Sequence, residues 1–191
     1  GNFEISTVLI KTSFSKSDEN YSETFKNFQD NRLIIAQRLS ALNGDSSGTV
    51  DEFGYPIGYG KNNQAVLIPA FLSAYSGKNA ENISLNAITD NPLPNWSVNY
   101  SGLINIDFFK ERFKKFSLGH AYRSSYTLNN FKSNLEYNPS NTQLTDDSGN
   151  YINEFLYTNI NLVEQFNPLL KIDMELNNSL QIVMSLKKDR A

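Results

Sequence analysis

The chain has 191 residues, 17 basic and 20 acidic side chains, and a net charge of −3. That length can bury one real core, and the charge balance excludes a surface built to grip nucleic acid or an acidic membrane by bulk attraction. With no cysteine, disulfides and thiol catalysis are excluded as well.

The opening "GNFEISTVLI" lacks the basic start and small-residue cleavage site of a signal peptide. It predicts a strand over 3–13, filling a first segment of 1–14. The end, "SLKKDRA", also stops straight after a predicted strand, so both ends read as parts of a longer chain. Residues 21–43 predict a helix, because Phe25, Phe28, Ile35, Leu39 and Leu42 recur at three- and four-residue spacing. Ser22 is its expected N-cap and Gly44 its stop. The glycine-dense "GDSSGTVDEFGYPIGYG" is loop. A second helix is expected over 63–76, bent at Pro69 and ended by Gly77. Irregular chain follows to residue 94, making 15–94 a helical insert with loops.

From residue 95 onwards the period drops to two, the mark of strands. Predicted strands cover 95–103, 116–128, 131–137, 155–166, 169–177 and 179–187. A short basic helix falls within 104–115, with Phe109 and Phe113 one turn apart. Turns are expected at Asn129-Asn130 and Asn167-Pro168, and a polar loop at 138–153. In 116–128, Phe116, Leu118, His120, Tyr122, Ser124 and Tyr126 face one way; Ser117, Gly119, Ala121, Arg123, Ser125 and Thr127 face the other. The hairpin "KIDMELNNSLQIVMSLKK" separates its residues in the same manner. Ile172, Met174 and Leu176 share a face, as do Leu180, Ile182, Met184 and Leu186. Alternation alone fits a soluble barrel or sandwich as well as a membrane barrel. No helix can span a bilayer: the longest apolar run, "AVLIPAFLSAY", is 11 residues with a proline inside, against about 20 required.

The short motifs carry no chemistry. "GYGKN" lacks the four-residue gap between glycines, the Ser or Thr after lysine, and the preceding strand of a phosphate loop. His120, the single histidine, reads as a packed or interfacial residue. Asp146-Asp147 lies in a loop without the carboxylate ladder of a calcium site. The helix "DFFKERFKKF" reads either as a surface helix with dipping phenylalanines and snorkelling cations, or as a packed connector. Catalytic, cofactor-binding and metal-binding residues are expected to be absent.

Longer blocks say more. "FKNFQDNRLIIAQRLS", "GYPIGYGKNNQAVLIPAFLSAYSGK", "PLPNWSVNYSGL", "FSLGHAYRSSYTLNNFKSNLEY" and "EQFNPLLKIDMELNNSL" together cover nearly all of the chain. In content and order they resemble the SprA/Sov family, the outer-membrane translocon of the Bacteroidota type IX secretion and gliding-motility system. The resemblance implies a mainly β chain whose antiparallel up-and-down strands form part of a very large transmembrane barrel in the outer membrane. It implies partners: secreted cargo proteins with C-terminal sorting signals, shuttle and plug components of the same system, and the lipid bilayer, with no nucleic acid and no cofactor. It also makes the watery face a conduit lining. The candidate lumen-lining residues are Asn95, Ser97, Asn99, Ser101, Arg123, Ser125, Asn159, Asn161, Lys171, Asp173 and Glu175. Counting six successive strands puts the basic helix and the 138–153 loop on one side of the membrane, the outside, since barrels keep short turns in the periplasm. A generic outer-membrane porin or receptor, and a soluble β-rich surface adhesin, share parts of this pattern.

Overall fold

The computed structural model describes residues 1–44 and 48–190; residues 45–47 of the expected glycine-dense loop lie outside the described residues. The architecture is mainly antiparallel sheet with a few helices. Contacts divide it into two units. One contains Gly1–Phe3, Leu9–Asn91 and Leu128–Ile160; the other contains Glu4–Val8, Pro92–Thr127 and Asn161–Ala191.

The first unit is built on helices α1 (Glu23–Leu42) and α2 (Gln64–Ser76). Ser22 caps α1, its Oγ accepting from Phe25 N at 3.2 Å, which satisfies one of the orphan amides of the first turn. The helix stops where Asn43 leaves helical geometry and Gly44 takes a left-handed φ of 69°. Asn63 caps α2 through Ala65 N (2.9 Å), and Gly77, left-handed at φ 65°, ends it. Pro69 sits inside α2, where it cannot donate to the Ala65 carbonyl one turn back, yet its ring is buried. Ile35, Ala36, Tyr55, Tyr59, Val66, Ala70 and Ala80 form the core. Arg38 Nη1 pins the chain after α2 by donating to the carbonyls of Ala80 (2.6 Å) and Ile83 (2.9 Å). Asn63 also donates Nδ2 to the Gly58 carbonyl and accepts from Asn153 Nδ2, so one buried amide ties the GYG loop, the helix start and the 150s together.

The second unit is a five-stranded sheet of β1 (Phe3–Ser6), β2 (Trp96–Tyr100), β3 (Phe113–Asn129), β6 (Asn159–Leu176) and β7 (Gln181–Arg190), in the order β1-β3-β6-β7 with β2 also on β3. A separate two-stranded ribbon joins β4 (Lys132–Ser133) to β5 (Phe155–Leu156) in the first unit. Thr7 N donates to the Ser124 carbonyl (3.2 Å), while Trp96 lies opposite Tyr122. β1 and β2 are therefore two halves of one rank along β3, and the chain between them leaves and rejoins that rank. The Leu93 N bond to the Ser6 carbonyl (3.0 Å) and the Ser124 N bond to Asn95 Oδ1 (2.8 Å) seal the junction.

Several expected boundaries need correction. The strand over 3–13 ends at Ser6; Leu9–Ser13 turns instead, with Thr12 N and Oγ1 both bonding the Leu9 carbonyl and Oγ1 also reaching the Tyr75 carbonyl. The segment 1–14 is thus not one strand. The strand over 95–103 is only Trp96–Tyr100, followed by a 3-10 turn at Gly102–Asn105. The helix expected within 104–115 shrinks to one turn, α3 (Asp107–Lys110), and Phe113 opens β3 instead. The arm 131–137 does not return along β3, because β1 and β2 occupy one edge of β3 and β6 the other. Nor is there a hairpin turn at Asn167-Pro168. β6 runs straight through it, with a register irregularity between Phe166 and Leu170, the kind of place where a residue lacking N–H is tolerated in a sheet. With two expected strands lost, the side count changes: α3 joins the start of β3 and the 130–158 connection leaves its end, so they belong to opposite ends of the strands rather than the same one.

Gly58 has φ 84°, and a Cβ there would sit 2.3 Å from the Tyr151 ring. Gly58→Ala is expected to destabilise the first unit by at least about 1–2 kcal/mol from the left-handed backbone alone, read as a lower urea midpoint with little change in slope.

Candidate functional site

Side chains alternate across a strand, and directly paired residues share a face. β2 pairs Ser97 with Ala121 and Asn99 with Gly119; β6 pairs Lys171 with Ser185, Asp173 with Val183 and Glu175 with Gln181. Between β3 and β6 the face is fixed by side chains: Lys115 Nζ meets Asp173 Oδ2 at 2.8 Å, and Ser117 Oγ reaches the Asp173 carbonyl. From Lys115 onward the odd-numbered positions of β3, with those of β2, β6 and β7, therefore lie on one side of the sheet, and that side is mainly polar, with Val163, Leu169 and Val183 among its members. At the start of β3 the alternation slips, since Phe113 packs on Phe116 and Lys114 reaches Glu175.

Of the eleven candidate residues, the structure gathers Ser97, Asn99, Arg123, Ser125, Asn161, Lys171, Asp173 and Glu175 on this face. Asn95 adjoins it at the start of β2, although its Oδ1 is engaged by the Ser124 amide. Ser101 is a correction, since it lies past the end of β2 and opens the 3-10 turn. Asn159 begins β6 but belongs to the first unit. A groove of about 490 Å³ runs over this face, lined in part by Ser97, Arg123, Gln165 and Asn167. Its lining mixes these amide, hydroxyl and guanidinium groups with Trp96, Ala121 and Tyr122. Sequence reading missed Asn167 because a turn was expected there, and passed over Gln165 although it shares the parity of Asn159 and Asn161 in the expected strand 155–166. Lys115 was missed because it was assigned to a helix. Its parity with Ser117 was the available signal. Gly119 was also unremarked, yet a Cβ there would stand 3.0 Å from Asn99 Oδ1 and 3.3 Å from Lys171 Cβ, so the glycine lets the two polar chains approach.

The ion pairs on this face, Lys115–Asp173 and Lys114–Glu175 (3.9 Å), join half-exposed lysines to better covered carboxylates. Such pairs are screened by water and mainly hold long side chains down along the strands.

The even-numbered face divides in two. Towards one end it is buried: Trp96 stacks on Tyr122 (4.4 Å between centroids), Tyr122 meets Phe166 (4.9 Å), and Tyr122 Oη donates to Glu164 Oε1 (2.8 Å). Glu164 is 1 % exposed and its other oxygen faces Arg190 Nη2 at 3.2 Å. Towards the other end, cross-strand pairs Leu170–Leu186, Ile172–Met184 and Met174–Ile182 form a stripe. Met184 and Leu186 are 49 % and 57 % exposed, and Val98 and Tyr100 on β2 are about as open. The stripe is apolar and partly uncovered: Leu170, Met184 and Leu186 are exposed, whereas Ile172, Met174 and Ile182 are half-buried.

No protein-family model and no curated protein matches this chain.

Removing the partner of a buried charge leaves the charge uncompensated. Arg190→Ala is therefore expected to cost about 3 kcal/mol of stability, and much less in a Glu164→Gln background. A double-mutant cycle in urea measures the coupling.

Proposed function

We propose that this chain is a piece of outer-membrane barrel wall from a SprA/Sov-type translocon, conducting folded cargo proteins with C-terminal sorting signals to the cell surface. One observation carries the membrane part of the reading. A single sheet presents a partly exposed apolar stripe on one face and a surface dominated by charge and amide on the other. A soluble sandwich covers its apolar face with a second sheet; a barrel wall gives that face to acyl chains. The stripe from Leu170 to Leu176 runs about 20 Å along β6, of the same order as the apolar band of outer-membrane barrels, about 25 Å tall. Aromatic clusters flank it: Trp96, Tyr122 and Phe166 at one end, Phe109, Phe113 and Phe116 at the other.

The translocon part rests on the family resemblance together with the polar face. A conduit for folded proteins must hold none of them tightly, and mixed-sign charge interspersed with Asn and Ser suits that better than an apolar or single-sign lining. In this reading the short β6–β7 turn and α3 are periplasmic and the 130–158 connection is outside, because barrels keep their short turns in the periplasm.

The cysteine-free sequence makes the test clean. In cells, cysteines at Lys171→Cys and Asn99→Cys are expected to react with a water-soluble maleimide and to crosslink to cargo in transit. Met184→Cys is expected to react only with a lipophilic reagent. A protein recovered in the soluble fraction without detergent, with all three positions reacting alike, points to the adhesin instead.

A further inference from the structure

The turn end of the sheet carries a second feature. After β2 the chain makes its 3-10 turn and α3, and this cap is fastened to the β6–β7 hairpin: Asn177 Nδ2 donates to the Glu111 carbonyl (2.6 Å) and Asn177 N to the Arg112 carbonyl (3.3 Å). Lys114 Nζ adds a bond to Ser179 Oγ (2.6 Å). The cap is thus held rigidly to the strands.

Its rings form a chain. Phe108 meets Phe109 (5.4 Å), Phe109 meets Phe116 (4.8 Å), and Phe113 meets Phe116 (5.2 Å). Phe116 is on the even face, so the ring cluster is continuous with the apolar stripe. Ile106 and Phe108 nevertheless remain 51 % and 57 % exposed. Beside them stand two cations, Lys110 and Arg112, and two exposed carboxylates, Asp107 and Glu111, with Glu111 Oε2 3.8 Å from Arg112 Nη1. The Arg112 guanidinium lies over the Phe108 ring at 4.2 Å, its Nη1 bonded to the Phe108 carbonyl. Lys110 is exposed and makes no hydrogen bond or ion pair among the described residues. The other nearby cations, Lys114 and Lys115, are already directed to Glu175 and Asp173 on the opposite face.

We propose that this cap docks on anionic phospholipid: Ile106 and Phe108 enter the acyl boundary while Lys110 and Arg112 engage headgroup phosphates, fixing the depth of this wall segment. The inference rests on the membrane reading above and adds the level and the lipid chemistry. Asp107 and Glu111 temper the attraction, so the preference for anionic lipid comes from Lys110, which has no ion pair among the described residues, and from exchange of Arg112's loose, exposed pair with Glu111 for a phosphate. Aromatic side chains beside snorkelling cations are the pairing that a water–lipid boundary accommodates.

The test uses the full 191-residue chain, refolded from urea with vesicles of phosphatidylcholine alone or with a third of phosphatidylglycerol, and followed by flotation. Tighter association with the anionic vesicles is expected. Lys110→Gln with Arg112→Gln should lower that association roughly thirty-fold, at about five-fold per cation, and leave binding to phosphatidylcholine unchanged. Lys187→Gln, on the polar face, should change neither. Far-UV circular dichroism checks that each variant folds. Flotation that ignores lipid charge, or a loss as large in Lys187→Gln, overturns the lipid assignment and leaves the membrane reading standing. No flotation with either vesicle overturns both.

Discussion

The architecture depends on an even number. Along β6, residues 167–169 stand opposite the single residue Lys187, so the irregularity adds two residues and not one. Side-chain direction alternates, and a surplus of one would have moved every residue beyond it to the other face. Because the surplus is two, Glu164 and Phe166 stay on the same side as Ile172 and Met174. The buried Tyr122–Glu164–Arg190 arrangement and the open apolar stripe can therefore be two ends of one face. The polar face inherits the same consistency, from Asn161 to Glu175.

The two ends of the even face show how local chemistry divides a single surface. At the buried end, Tyr122 and Arg190 satisfy a carboxylate that would otherwise make burial costly. At the open end nothing polar needs satisfying, and the residues are flexible or branched aliphatics. The polar face needs no burial at all. These are three environments from one alternating pattern.

Much of this was legible from the sequence, for reasons that can be named. Ser22, Asn63–Ser76 and Gly77 were readable because caps and stops are local chemistry. The faces of 116–128 and of the 171–188 hairpin were readable because parity needs only neighbours. What escaped depended on partners far along the chain. The arm 131–137 has reasonable strand composition, but both edges of β3 were already taken. Asn167-Pro168 has turn composition, yet pairing on either side carries the strand through it. Phe113 was counted on a helix face because a spacing of four fits a helix as well as a position in β3. The site residues follow the same rule: strand members landed together, whereas Ser101 and Asn159, at element ends, did not.

The polypeptide crosses between its two units five times, through Gly1–Phe3, Glu4–Val8, Leu9–Asn91, Pro92–Thr127, Leu128–Ile160 and Asn161–Ala191. Asn63 finds its partners at Tyr151 and Asn153, and Thr7 finds its own at Ser124. The two bodies are interlaced in sequence like two hands with crossed fingers. No single cut of this stretch separates the residues of one unit from those of the other, and each unit is complete only when its last segment, Leu128–Ile160 or Asn161–Ala191, has joined the earlier ones.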